Sequence, residues 1–164
     1  MSMNDLKDIY IDQLQDLYSA DRQASKVTAE LAKQASDDEL VAALKAGVQG
    51  IEDGMQTLRA LIEGHDADPT GEHCRGMEGL VKEARAHALE ESFGSDAVRD
   101  AMIVTQYQRM THYAIAGYGC LVAFAGRLGL DDEAKKLQDC LDASYDGDRH
   151  MTEIATSGLN AAAA

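Results

Sequence analysis

An all-α bundle is the fold this sequence predicts, and three observations predict it. Pro occurs once in 164 residues, at Pro69, so nearly the whole chain is free of the residue that most strongly interrupts helices. Apolar residues recur every three or four positions through long stretches, the spacing of a helix face. No segment shows a strand pattern. A chain of this length fits one domain, taken as 1–164, with a substantial core. With no Trp and two Phe, Phe93 and Phe124, that core must be built from Leu, Ile, Val, Met and Ala, with Tyr at its margins.

The elements follow in order. Asn4 or Asp5 caps a first helix along Leu6, Ile9, Tyr10, Leu14, Leu17, Ala24, Val27 and Leu31, a stripe that also passes through Asp21. Ser36 and Glu39 have capping-box spacing and open a second helix, along Leu40, Leu44, Val48, Ile51, Met55, Leu58 and Ile62, that stops near Gly64. So short a connection predicts an antiparallel hairpin. His65 to Gly71, with Pro69, reads as a loop, and a shorter helix follows from about Arg75 to Ser92. Gly94-Ser95-Asp96 starts the next helix, Ala97 to Leu128, whose apolar residues occur nearly all round and predict the most buried element. Gly129 is a natural terminator. Asp131 to Glu133 open a last helix along Leu137, Leu141, Met151, Ile154 and Ala155, ending near Gly158 in an alanine tail, 159–164, expected to be flexible. The architecture expected is two long helical hairpins joined by a connection that carries a short helix.

Twenty-nine acidic against fifteen basic residues give a formal charge of −14, which repels phosphate backbones and argues against nucleic acid as a partner. No apolar run approaches a membrane span, and the Met-Ser-Met-Asn-Asp-Leu-Lys-Asp start lacks the basic and apolar stretches of a signal peptide, so a cytoplasmic location without membrane contact is the expectation. Cys74, Cys120 and Cys140 are scattered and odd in number, which predicts reduced thiols. There is no Gly-rich phosphate loop and no Ser or Cys in a nucleophile setting, so hydrolase or transferase chemistry is not expected.

Three ionisable residues interrupt the apolar stripes near the middle of long helices: Asp21, His112 and Asp148. Burial of such groups calls for a metal, a partner charge or water. The bland alternatives are an Asp21 hydrogen-bonded to a Tyr or Arg of another helix, a neutral core His112, and an Asp148 in an interhelical hydrogen bond. If the three converge, they offer a one-metal site rich in oxygen and nitrogen. Tyr107, Tyr113 and Tyr118 lie around His112 in sequence and offer hydroxyl partners or core packing. His65, His73 and His150 lie in polar segments and are expected at the surface.

The segments Leu6-Lys-Asp-Ile-Tyr-Ile-Asp-Gln-Leu-Gln-Asp-Leu-Tyr-Ser-Ala-Asp21, Ala35-Ser36, Cys74-Arg-Gly-Met-Glu-Gly-Leu80, Arg99-Asp100-Ala101 and His112-Tyr-Ala-Ile-Ala-Gly-Tyr-Gly119 resemble the YciE/YciF family of bacterial ferritin-like stress proteins over almost the full length. The resemblance implies a ferritin-like four-helix bundle with an extra short helix, a homodimer, and a link to general stress responses. It also implies Glu where this chain has Asp21, His where it has Gly47, Glu near Gln49 and Gly50, and Glu where it has Thr111, Ala114 and Ser144. His112 and Asp148 agree with the family pattern. A di-iron bundle needs roughly four carboxylates and two histidines from its four helices. The substitutions therefore predict a degenerate di-metal centre, with Asp21, His112 and Asp148 as residual candidates, and voids to be filled by Met55, Met110 or Tyr113. The expected role is a non-catalytic, stress-associated structural or binding protein with no cofactor. The rivals are a retained iron or manganese centre with oxidase or peroxide-related activity, and a bundle with a small ligand in its vacated centre.

Overall fold

The computed structural model describes residues 3–164, so the first two residues of the segment tested for a signal peptide lie outside it. Helices α1 (Leu6–Gln34) and α2 (Asp38–Gly64) form one hairpin, and α4 (Asp96–Arg127) and α5 (Asp131–Ile154) form the other. Between the hairpins lies α3 (Arg75–Arg85), extended by a π-helical turn, Ala86–Glu90. A second π-helical turn, Ala155–Leu159, leads into α6, a single turn at Asn160–Ala163. Across the bundle α1 packs on α4 and α2 on α5, while α3 lies against α1 and α4. This is the expected four-helix bundle with a short connecting helix. Among the described residues, no helix is long and apolar enough to cross a membrane.

Local chemistry sets the helix ends. Asp5 accepts from the Asp8 amide at 3.0 Å and begins α1. At α2 the cap is Asp37, which accepts from the Leu40 amide at 2.9 Å, one residue later than the expected Ser36 box. Ser36 is committed elsewhere: its amide donates to Asp100 and its hydroxyl accepts from Arg99. Cys74 caps α3 through its sulfur, and Ser95 caps α4 by accepting from Val98. Gly129, at φ +74°, supplies the left-handed residue that ends α4. No side chain caps α5, whose first turn carries Asp131, Asp132 and Glu133 against the positive helix end.

One expectation needs correcting. Thirteen of the 29 α1 residues are buried but only ten of the 32 in α4, so α1 is the more buried helix. Its neighbours α2, α3 and α4 cover it on several sides. α4 instead presents an exposed stripe, Thr105, Arg109, His112, Ala116 and Cys120, where small residues hid the polar face in the sequence. The tail from 159 begins with a buried Leu159 and is helical through Ala163.

Candidate functional site

One side of the bundle opens between α2 and α5. Here small side chains, among them Ala43, Gly47, Gly50, Ala143 and Gly147, keep the helix surfaces low and leave a cleft of about 620 Å³. All four long helices contribute to its lining. Met110, Met151 and Ile51 give it apolar walls, and Asp53, Lys136, Asp139, Asp146 and His150 also line it. Among these, Asp53, Lys136, Asp139, Asp146 and His150 are exposed and form the mouth. Gly47, Gly50, Thr111, Ala114 and Ser144, the positions at or near which the family resemblance implies metal ligands, all face this one cleft.

Asp21 lines the cleft from α1 and is 2% exposed. Its position follows from the spacing of Leu17, Asp21 and Ala24, which puts the carboxylate on the buried face. The Tyr118 hydroxyl donates to its Oδ2 at 2.8 Å. Burial pushes the Asp21 pKa up to about 7, and the Tyr118 hydrogen bond only partly opposes that shift. The Tyr118 hydroxyl is itself raised well above its ordinary range by burial and by the neighbouring Asp21 charge. Asp21 is thus buried with the tyrosine partner expected as one alternative.

Glycines make room for the phenols. A Cβ at Gly54 would lie 2.5 Å from the Tyr118 hydroxyl oxygen, and one at Gly47 would lie 2.5 Å from that of Tyr107. Tyrosines 107 and 118, with Met110, therefore occupy the centre where Met55 or Tyr113 was expected alongside Met110. Tyr113 points to another place: its hydroxyl lies 3.0 Å from the Cys74 sulfur and packs over Gly76. The pairing of Gly47 and Gly54, two turns apart on one face of α2, with two tyrosines on the inner face of α4 was a signal in the sequence for this arrangement.

The three residues expected as residual metal candidates do not converge. His112 is 63% exposed in its side chain and pairs with the Asp148 carboxylate at 2.9 Å. Gln108 donates to the same carboxylate at 3.0 Å and to Thr152 at 2.9 Å. This dyad lines a shallow groove with Leu80, Thr105 and Arg109, separate from the cleft that holds Asp21. His112 is not a core histidine, because it belongs to the outer stripe of α4. Among the described residues, no group of three or more His, Cys, Asp or Glu side chains is placed to hold a metal ion.

The other histidines divide. His73 is exposed beside Glu78, and His150 is exposed at the cleft. His65, expected at the surface, is 10% exposed: its ring meets Tyr10 edge-on at 5.7 Å and its Nε2 lies 3.0 Å from Glu133. Tyr10 also donates to Glu133, at 2.7 Å. This triad ties α1, the end of α2 and the start of α5 together, a long-range arrangement that periodicity does not reveal. All three cysteines are free thiols.

Comparison with known proteins agrees with the fold. The model of a domain of unknown function, DUF892, matches residues 5–164. The chain is 31% identical to Protein YciF of Escherichia coli K12 over 161 residues, which is 98% of this chain and 96% of that protein. The crystal structure of the E. coli stress protein YciF superposes with a TM-score of 0.88, covering 96% of this chain and 99% of that one. A second solved structure, YcfI from Rhodopseudomonas palustris, for which a structural role has been suggested, is 28% identical and gives a TM-score of 0.85 over 92% of this chain and 95% of that one. By sequence and by fold, the chain belongs to the DUF892 family of YciF-type, ferritin-like bacterial proteins.

Proposed function

We propose that this chain is a non-catalytic, stress-associated structural or binding protein whose ancestral di-metal centre is degenerate. The observation that carries the reading is the donor set of the cleft. Asp21 is the one carboxylate of the lining that is buried, and its Oδ2 is engaged by Tyr118. A pair of dications wants several hard oxygen ligands and bridging carboxylates, and the positions that would supply them carry Gly, Thr, Ala and Ser. The phenol rings over Gly47 and Gly54 take up part of the space such ions would need. These residues do not fit a di-iron or di-manganese site. The stress association rests on the name of the E. coli relative, and a cytoplasmic homodimer completes the proposal.

Aerobic oxidation of ferrous iron tests this reading. The protein is expected to leave the rate at its buffer value, whereas a saturable acceleration that Asp21→Asn removes would contradict it. The alternative, a retained iron or manganese centre at Asp21, His112 and Asp148, has only the last two close together among the described residues. A second reading, a small ligand in the bundle centre, is favoured by one observation: the 620 Å³ cleft is large enough for a drug-sized molecule.

A further inference from the structure

We propose that the cleft between α2 and α5 binds a small lipophilic amine, with its apolar body against Ile51, Met110 and Met151 and its ammonium group at the Asp21 carboxylate. The inference rests on the non-metal reading of the centre and gives the cleft a ligand class.

Shape and polarity come first. A cleft of this volume with methionine and isoleucine walls accepts an aromatic or branched aliphatic body. Its depth contains one carboxylate, with Tyr118 as its sole hydrogen-bond partner among the described residues. An ammonium group offers that carboxylate a charge-assisted hydrogen bond which a neutral or anionic ligand cannot match. Thr28 lines the same cleft two turns along α1, and its buried hydroxyl oxygen has no partner among the described residues. Such a group gains a bond from any polar atom a ligand brings within reach.

Charge selects the cation. The lining carries Asp21, Asp53, Asp139 and Asp146 against Lys136 and the imidazole of His150. Lys135 pairs with Asp139 and Arg149 with Asp146, while Asp53 has only the neutral Gln49 amide. The chain as a whole carries a formal −14, so the far field also attracts cations and repels carboxylates. The titratable groups that line the cleft with Asp21 are Tyr107 and Tyr118 from α4, Asp53 from α2, and Lys136, Asp139, Cys140, Asp146 and His150 from α5.

Calorimetric titration of the full chain with 4-phenylbutylamine tests the proposal, with 4-phenylbutan-1-ol and 4-phenylbutyrate as isosteric controls. The amine is expected to bind saturably at one site per chain, about tenfold tighter than the alcohol, with no binding of the acid. Its affinity should rise with pH as Asp21 ionises, a dependence that Asp21→Asn abolishes and His150→Gln leaves in place. Gly50→Leu is the blocking variant: no atom lies within 4 Å of its Cβ position, so the fold tolerates it while the side chain fills the cleft and binding is lost. Equal affinity for amine and acid, binding unchanged in Gly50→Leu, or no saturable amine binding would overturn the proposal. Self-association that Gly50→Leu disrupts would assign the cleft to a second copy and overturn it as well. Elemental analysis of the same sample separates the two readings. Bound iron or manganese would remove the non-metal reading, whereas a metal-free protein that ignores the amine removes only this inference.

Discussion

Two buried aspartates, each 2% exposed, sit in opposite circumstances. Asp100 on α4 meets the joint between α1 and α2, where it accepts from the Ser36 amide at 3.0 and 3.2 Å and from the Asp37 amide at 2.9 Å. Those donors belong to the start of α2, whose dipole adds to them. Asp21 has one phenol at 2.8 Å and borders an open cleft. Equal burial thus yields unlike groups: two backbone donors turn one carboxylate into a clamp between hairpins, and a single phenol leaves the other poised to take up or release a proton.

The largest expected effect comes from breaking the clamp. Asp100→Ala leaves two amides at the α2 start without their acceptor and should lower unfolding free energy by about 3 kcal/mol in urea titrations. Asp100→Asn, which keeps an acceptor oxygen, should recover part of it. A loss below about 1 kcal/mol for the alanine variant would mean that water replaces the clamp.

Asp21 should respond with the opposite sign. Unfolded, it ionises in the ordinary carboxylate range, and folded, at about 7. Between those values the native state holds a proton that the unfolded state has released, so stability falls as pH rises through the window and levels off above it. Asp21→Asn keeps an acceptor for Tyr118 and removes the charge. At pH 8 it should stabilise the fold by roughly 1–3 kcal/mol, with little change at pH 4. Thermal melts across pH 4–8 check this, and a parental chain that is most stable at pH 8 through this group would contradict it.

A smaller effect separates two glycines of α2. Gly54→Ala pushes on the Tyr118 hydroxyl and should cost about 1–2 kcal/mol, with the Asp21 hydrogen bond disturbed. Gly50→Ala meets nothing within 4 Å and should stabilise by about 0.5–1 kcal/mol through helix propensity alone. Equal effects at the two positions would show that the phenols do not depend on the missing side chains.

Much of this contrast was legible in the chain, and its limits are physical. The Leu17, Asp21, Ala24 spacing fixed Asp21 on an inner face, since helix geometry alone decides that. The hairpins were legible for the same reason. His112 was misplaced because α4 is rich in Ala and Gly, whose small side chains blur which face is wet. The clamp of Asp100 and the burial of His65 involve partners more than sixty residues away, Ser36 and Glu133, and no local pattern announces them. The width of the cleft depends on how far α2 and α5 stand apart, which periodicity does not encode.

Metal content bears most directly on the central claim that the bundle's middle lacks the donors for a pair of cations. Protein produced in medium supplemented with iron and manganese and purified without chelators should contain well under one equivalent of either by elemental analysis. Two equivalents per chain, lost in Asp21→Asn, would contradict the account.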